Sequence, residues 1–148
     1  MFKHDLLDFS FGELQNFCTD KNLPKFRASQ IWRWMYCFGS KSFEEMNNIS
    51  KSSREFLKNI SLISRPQISE MQTSSDGTIK WLIKLKDNSE VETVYIPQDE
   101  RGTVCLSSQV GCTLNCSFCH TGTQALVRNL TSGEIIGQLM TVMDHLND

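Results

Sequence analysis

The sequence predicts a chain of the α+β to α/β class, in which helices come first, antiparallel strands follow and a β/α unit comes last. Three observations favour this order. Apolar residues recur at helical spacing over roughly the first 60 positions, alternate with polar residues after Pro66, and return to helical spacing behind a cysteine-rich loop. We expect three parts: residues 1–63 as a helical domain, 64–100 as a β meander, and 101–148 as the start of a further α/β domain.

The N-terminal part is predicted to form a helical bundle. Ser10 and Glu13 make a capping-box pattern, so the first helix should begin directly after Ser10. The second helix should start near Pro24 and end at Gly39, because proline suits a first helical turn and glycine suits a C-terminal cap. Two shorter helices, each with a serine as N-cap, are expected over residues 42–46 and 50–58.

The middle part predicts an antiparallel meander. Its central segment alternates with a period of two, and the apolar positions are Ile79, Trp81, Ile83 and Leu85. The turn-forming pairs Asp76-Gly77 and Asp87-Asn88 flank this segment. Further strands are expected over residues 68–73 and 91–96, after which Pro97 and a polar run should end the meander.

The last third predicts a strand over residues 103–106, a loop rich in Cys, Gly, Ser and Thr, and a helix. Thr131 and Glu134 form a second capping-box pattern in front of that helix. Its apolar stripe consists of Ile135, Ile136, Leu139, Val142, Met143 and Leu146. A strand, a loop and a helix in this order are the first β/α unit of a larger fold.

Composition excludes several classes of protein. With 39% hydrophobic and 22% charged residues, the 148-residue chain is neither disordered nor fibrous. No apolar run approaches the roughly 18 residues of a membrane helix, and the N-terminus lacks the apolar stretch of a signal peptide. We therefore expect a cytoplasmic protein with no membrane partner. Residues 1–66 hold ten Lys/Arg against seven Asp/Glu, a weak indication of nucleic-acid binding.

The cysteines indicate a metal or redox site. Four of the six fall within residues 105–119, and a reducing cytosol disfavours a disulfide framework. Cys112, Cys116 and Cys119 have the spacing Cys-x3-Cys-x2-Cys. Three thiolates from one loop can bind three irons of a [4Fe-4S] cluster and leave the fourth open. The amino and carboxylate groups of S-adenosylmethionine suit an open iron.

Two other metal sites fit part of this loop. A structural zinc needs four ligands, which the three loop cysteines can supply together with His120 or Cys105, but zinc ligands usually come as two separated pairs. Residues 116–120 also fit the Cys-x-x-Cys-His pattern of covalent haem attachment, which leaves Cys112 without a role. The spacing favours the iron–sulfur cluster over both.

Longer motifs give a more specific indication. The cysteine spacing, with Phe118 before the last cysteine, resembles the radical-SAM signature. The surrounding segments resemble the RlmN/Cfr class of adenine-C2 RNA methyltransferases: LPKFRASQI at 23–31, ETVYIP at 92–97, CLSSQVGC at 105–112, RNLT at 128–131 and EIIGQ at 134–138. This resemblance covers nearly the whole chain and places it in the N-terminal portion of such an enzyme.

The resemblance implies a function and a fold. Enzymes of this class methylate C2 of adenine in 23S rRNA and in tRNA, with a [4Fe-4S] cluster and S-adenosylmethionine as cofactors. Residues 101–148 would then be the first β/α unit of a partial radical-SAM TIM-like barrel, and residues 1–63 an accessory domain of the RNA-binding type.

Site residues follow from the same resemblance. Cys112, Cys116 and Cys119 match the cluster ligands, with Phe118 packed near the cluster and S-adenosylmethionine. Glu92 matches the proton acceptor, and Cys105 matches the cysteine that resolves a covalent protein–RNA adduct. Without the resemblance, Glu92 would be a solvated strand residue and Cys105 a small apolar one. The expected phosphate contacts are Lys25, Arg27 and Arg33, whereas Trp32, Trp34 and Tyr36 are assigned to the helical core.

The sequence reaches only the first of about six β/α units that the resemblance implies, so we expect this chain alone to be catalytically incomplete. A truncated product and a split gene, in which a separate chain carries the rest of the barrel, are both open. The alternative hypothesis is a non-catalytic RNA- or metal-binding module derived from the same family, with structural zinc or an Fe–S loop.

Overall fold

The structure is a computed structural model that describes residues 2–111 and 126–147. The chain divides into two compact units, Met1–Arg65 and Pro66–Asp148. No helix of the described ranges is long and apolar enough to cross a bilayer.

The first unit is helical, as the sequence predicts. Its elements are β1 (His4–Asp5), a 3-10 helix (Leu6–Asp8), α1 (Phe11–Asp20), α2 (Phe26–Tyr36), a second 3-10 helix (Phe43–Glu45), α3 (Lys51–Ile60) and β2 (Ser61–Leu62). β1 and β2 pair in parallel and so bring the two ends of the unit together.

Serine side chains cap the starts of α1 and α3, whereas Ser42, the predicted cap of the second 3-10 helix, makes no side-chain cap hydrogen bond. The Ser10 hydroxyl accepts from the Glu13 amide at 3.3 Å, and the Glu13 carboxylate accepts from the Ser10 amide at 2.7 Å, so the capping box is confirmed. Beyond α2, Gly39 has a φ of 65° and Ser40 N–H donates to the Trp34 carbonyl at 3.0 Å. Only a residue that tolerates left-handed backbone ends α2 in this way.

Aliphatic and sulfur-containing side chains dominate the core of the first unit. Its buried members include Leu6, Leu14, Cys18, Ala28, Ile31, Met35, Met46, Ile49 and Leu57. Trp32, Trp34 and Tyr36 are only half-buried, so their assignment to the core overestimates their burial. The inward positions of α2 belong instead to its smaller residues.

The second unit contains an antiparallel sheet with strand order β3-β4-β5-β6, a separate pair β7-β8, and one helix. Its elements are β3 (Gln67–Thr73), β4 (Ile79–Lys84), β5 (Glu90–Pro97), β6 (Gly102–Cys105), β7 (Gln109–Val110), β8 (Arg128–Asn129) and α4 (Ser132–Asn147). The three predicted meander strands are confirmed.

The fourth strand of this sheet differs from the sequence-based prediction. The strand expected over residues 103–106 as part of a β/α unit is β6, which pairs antiparallel with β5. The polar run after Pro97 makes the hairpin turn, with Gln98 N–H donating to the Arg101 carbonyl at 2.7 Å. A run that is predicted to end the meander therefore continues it.

The sheet has two different faces. Trp81, Ile83 and Val91 form one buried cluster with Val142 of α4, as the period-two pattern predicts. The buried face of α4 is not its whole apolar stripe: Gly133, Gly137, Gln138 and Thr141 are buried, whereas Met143 and Leu146 are exposed. Small residues let α4 pack closely against its neighbours. A Cβ on Gly137 would lie only 3.2 Å from the Pro66 ring.

Gly102 supplies a test of this sheet. A Cβ at Gly102 would overlap the ring of Tyr95 on β5, which lies beside the exposed glycine across the hairpin. We expect Gly102→Ala to lower the free energy of unfolding by about 1 kcal/mol, because the Tyr95 ring must move away. Urea denaturation followed by circular dichroism measures the change.

Gly12→Ala is the matched control. Gly12 lies in α1, and no heavy atom of the described residues is within 4 Å of an added Cβ there. Alanine should leave stability unchanged or raise it by up to ~1 kcal/mol. Equal destabilisation by both substitutions would contradict the role assigned to the Tyr95 ring.

Candidate metal centre

In the sequence, the cysteine motif comes after β7 and before β8, the two strands of the small pair. Cys112, Cys116, Phe118 and Cys119 are outside the described residues, but the segments on either side of them are described. Val127 N–H donates to the Val110 carbonyl at 2.8 Å, next to the β7-β8 ladder. The chain therefore enters and leaves residues 112–125 at one place.

Further contacts hold the same junction. Leu130 N–H donates to the Ser108 carbonyl at 2.9 Å, and the Gln109 side chain donates to that of Asn129 at 2.9 Å. Gly111, directly before Cys112, has a φ of 75°, which most side chains rarely adopt. The turn into the cysteine motif thus depends on a glycine.

A buried carboxamide fixes the segment that leads to this loop. Gln138 of α4 has no solvent exposure. Its Oε1 accepts from Ser107 N–H at 2.9 Å and from the Thr93 hydroxyl at 2.8 Å, and its Nε2 donates to the Ser107 carbonyl at 2.8 Å. One side chain thereby joins α4, β5 and the segment five residues before Cys112.

The same network reaches the predicted proton acceptor. The Ser107 hydroxyl donates to the backbone carbonyl of Glu92 at 2.6 Å. Gln138 therefore fixes Ser107, and Ser107 fixes the backbone at Glu92. The sequence analysis did not identify this role of Gln138. The feature that indicates it in the sequence is a glutamine within the apolar pattern of α4.

An arginine holds the exit from the loop. Arg128 on β8 makes a two-point contact with the Glu134 carboxylate at 2.9 and 2.8 Å, and its Nε donates to Asp87 at 2.9 Å. Glu134 also accepts from the Thr131 N–H at 2.8 Å, and the Thr131 hydroxyl accepts from Glu134 N–H at 3.2 Å, which confirms the second capping box. Arg128 thus ties the β4-β5 turn to the start of α4.

The charges of this group stabilise one another. The hydrogen bond from Arg128 lowers the pKa of Asp87 to about 2, and the Ser89 amide adds to the effect. Arg128 likewise lowers the pKa of Glu134, although partial burial opposes the shift. The two carboxylates in turn raise the pKa of Arg128.

Glu92 and Cys105 occupy the sheet face opposite α4. Cys105 pairs with Val94, so its side chain shares a face with Val94 and Glu92. Glu92 and Cys105 are therefore diagonal neighbours on adjacent strands, with Cβ atoms roughly 7 Å apart. The Glu92 carboxylate accepts from Lys80 Nζ at 3.3 Å, and the Cys105 thiol is free and exposed.

The three predicted phosphate contacts differ in exposure. Lys25, the N-cap of α2, and Arg33, in its last turn, are exposed. Arg27 is half-buried, and its Nη1 donates to Gln30 at 2.6 Å. In the described part of the chain, no three His, Cys, Asp or Glu side chains are grouped closely enough to hold a metal ion.

Replacing Gln138 tests its role. Gln138→Leu keeps the volume but leaves Thr93 and the backbone of Ser107 without partners in a buried place. We expect a loss of about 2–4 kcal/mol in the free energy of unfolding, measured by urea denaturation. Gln72→Leu, on exposed β3, should change stability by less than about 0.5 kcal/mol. A similar small effect for both would show that the network contributes little.

The Asp87 contact predicts a dependence on pH. Its pKa is lowered from 3.8 to about 2 in the folded chain, so its stabilising effect is complete above about pH 4 and is lost as the pH falls towards 2. The urea midpoint of Asp87→Asn should therefore fall less steeply over this range than that of the unchanged chain. The difference should shrink in 1 M salt; parallel pH profiles would contradict the ion pair.

The sequence is similar to those of known RNA methyltransferases. Residues 4–63 match the family model described as the ribosomal RNA large subunit methyltransferase N-terminal domain. A dual-specificity RNA methyltransferase RlmN from Rhodopseudomonas palustris (strain BisB5) is 57% identical over 130 residues, which is 84% of this chain and 33% of the relative. An RlmN from Bradyrhizobium (strain ORS 278) is 49% identical over 156 aligned positions, covering 99% of this chain and 39% of the relative.

A solved structure agrees with the sequence relatives. The crystal structure of a radical SAM methyltransferase from Sphaerobacter thermophilus matches 97% of this chain with a TM-score of 0.85 at 33% identity. The match covers 42% of that structure, and the chain spans between a third and two fifths of the length of the two curated relatives. Over nearly its whole length the chain is similar to the N-terminal part of the dual-specificity RNA methyltransferases RlmN.

Proposed function

We propose that the chain is the N-terminal part of a radical-SAM enzyme that methylates C2 of adenine in 23S rRNA and in tRNA. The observation that carries the proposal is 49–57% identity to dual-specificity RNA methyltransferases over 84–99% of the chain. The β7-β8 junction, Gln138 and Arg128 support it, because they hold both ends of that loop.

Cys112, Cys116 and Cys119 are the proposed ligands of a [4Fe-4S] cluster. Thiolates are the soft donors that such clusters take, and three within eight residues leave one iron for S-adenosylmethionine. When bound, the cluster and S-adenosylmethionine supply the radical chemistry. Phe118 is proposed to pack beside them and exclude water.

Glu92 and Cys105 are the proposed catalytic side chains of the sheet. Glu92 would accept the proton from C2 of adenine, and its carboxylate accepts a hydrogen bond from Lys80 Nζ at 3.3 Å. Cys105 would be the thiol that releases RNA from a covalent adduct, for which its exposure is suitable. Their position on one face allows both to act on one adenine.

RNA contacts are proposed for the helical unit, with Lys25, Arg27 and Arg33 near phosphates. Contacts with the RNA backbone fix position and carry little sequence information. A cytoplasmic location belongs to the same proposal.

Anaerobic reconstitution with iron and sulfide tests the cluster. The unchanged chain should gain the broad visible absorption of an iron–sulfur cluster, with about four irons per chain. Cys112→Ala should lose most of this absorption, because only two of three ligands remain.

Cys105→Ala is the control, since it removes a thiol of the same region that is not a proposed ligand. It should keep the visible absorption and the iron content. Stoichiometric zinc with no uptake of iron would overturn the proposal and favour a structural metal site. Equal loss in both variants would refute the ligand assignment.

A further inference from the structure

A cleft of about 470 Å³ lies beside the C-terminal half of α2, in the first unit. Trp34 and Phe38 line it, together with Arg33, Gln30, Asn47 and Asn48. This volume falls in the range of small-molecule sites, and the mixture of two rings, one cation and several amides is chemically distinct from a packing defect.

The cation in this cleft is available to a ligand. Arg33 is exposed, and no carboxylate among residues 2–111 or 126–147 pairs with it. Its guanidinium lies 5.5 Å from the centre of the Phe38 ring. α2 itself holds Arg27 and Arg33 and no Asp/Glu, so the helix has a net positive charge, with Asp5 and Asp8 acting on Tyr36 at its C-terminal end.

The aromatic part of the cleft is held in place before any ligand binds. Trp34 Nε1 donates to Asn48 Oδ1 at 2.7 Å, and the Trp34 and Phe38 rings are 4.8 Å apart at an angle of 46°. Phe38 itself is 58% exposed, which leaves ring surface for stacking. The amide groups of Asn47 and Asn48 at the rim can pair with the edge of a base.

A second cleft of the same unit has the opposite character. It is lined by Lys51, Arg54 and Lys58 but also by Glu44 and Glu55, and Lys58 pairs with Glu44. Two carboxylates stand beside its three cations, so it attracts an anion less than a cleft without carboxylates does. The comparison singles out the Trp34–Phe38 cleft.

We propose that the Trp34–Phe38 cleft binds one unpaired nucleotide of RNA, with the base against the aromatic rings and Arg33 near a phosphate. The inference rests on the proposed RNA contacts of the helical unit and adds recognition of an unstacked base. Unpaired bases in loops and bulges are the usual target of aromatic side chains, because duplex RNA keeps its bases stacked.

Binding of two RNAs to the full 148-residue chain tests the proposal. One is a hairpin with a single 2-aminopurine in its loop, and the other is a duplex in which 2-aminopurine is paired. We expect tighter binding of the hairpin in fluorescence anisotropy, and a change in 2-aminopurine emission as the base leaves water for the rings. Phe38→Ala should weaken hairpin binding roughly 5- to 150-fold and abolish the emission change, but leave duplex binding within about twofold.

Phe26→Ala is the matched control. Phe26 is on the same helix, is 60% exposed, and has Arg27 at 5.4 Å from its ring centre, yet it does not line the cleft. It should bind both RNAs as the unchanged chain does. For the cation, Arg33→Gln should reduce the preference for the hairpin, whereas Lys21→Gln removes the same charge outside the cleft and should lower both affinities alike.

The outcomes separate this inference from the proposed function. Equal binding of hairpin and duplex, unaffected by Phe38→Ala, would overturn the nucleotide site and keep the general RNA contact. No binding of either RNA would overturn both. An acidic peptide of matched charge serves as a competitor; if it binds in a Phe38-dependent way and the hairpin does not, the cleft takes a peptide.

Discussion

The carboxamide of Gln138 is the interaction on which the second unit depends most. It is fully buried and bonded to two segments that are distant in sequence, one in β5 and one that leads into the cysteine loop. A buried amide without partners costs more free energy than a satisfied one gains, so α4 has one favourable position along the sheet. That position also seats Val142 against Trp81 and Ile83. The contacts of Gln138 therefore set both the packing of α4 on the sheet and the course of the chain towards Cys112.

Because side chains alternate along each strand, the two faces of the sheet carry different sets of residues. One face is closed by α4, and the other carries Glu92, Lys80 and Cys105. Because neighbouring residues of a strand point to opposite faces, Glu92 projects away from the core while its own backbone carbonyl is bound by Ser107. Glu92 therefore combines a fixed backbone with a carboxylate that is partly exposed and paired with Lys80.

Charge is used differently in the two units. Around Arg128 it is internally paired, and Asp87 and Glu134 stabilise the exit from the loop. On α2, Arg33 has no carboxylate partner among the described residues and lies beside two aromatic rings. The paired group stabilises the fold, whereas Arg33 is accessible from solvent. A net charge of −2 for the chain conceals this division.

The sequence by itself determined the helices with Ser10, Ser50 and Thr131 as caps, the three meander strands, and the family through its motifs, because caps, alternation and motif spacing are local properties. The ligand assignment of the loop cysteines stays a prediction, since those residues lie outside the described ranges. Only the tertiary structure decided that β6 joins the meander, that Trp34 lines a cleft, and that Gln138 and Arg128 hold the ends of the loop. Each of these depends on contacts between residues far apart in sequence, and local patterns contain no information about which distant partner a polar or aromatic side chain meets.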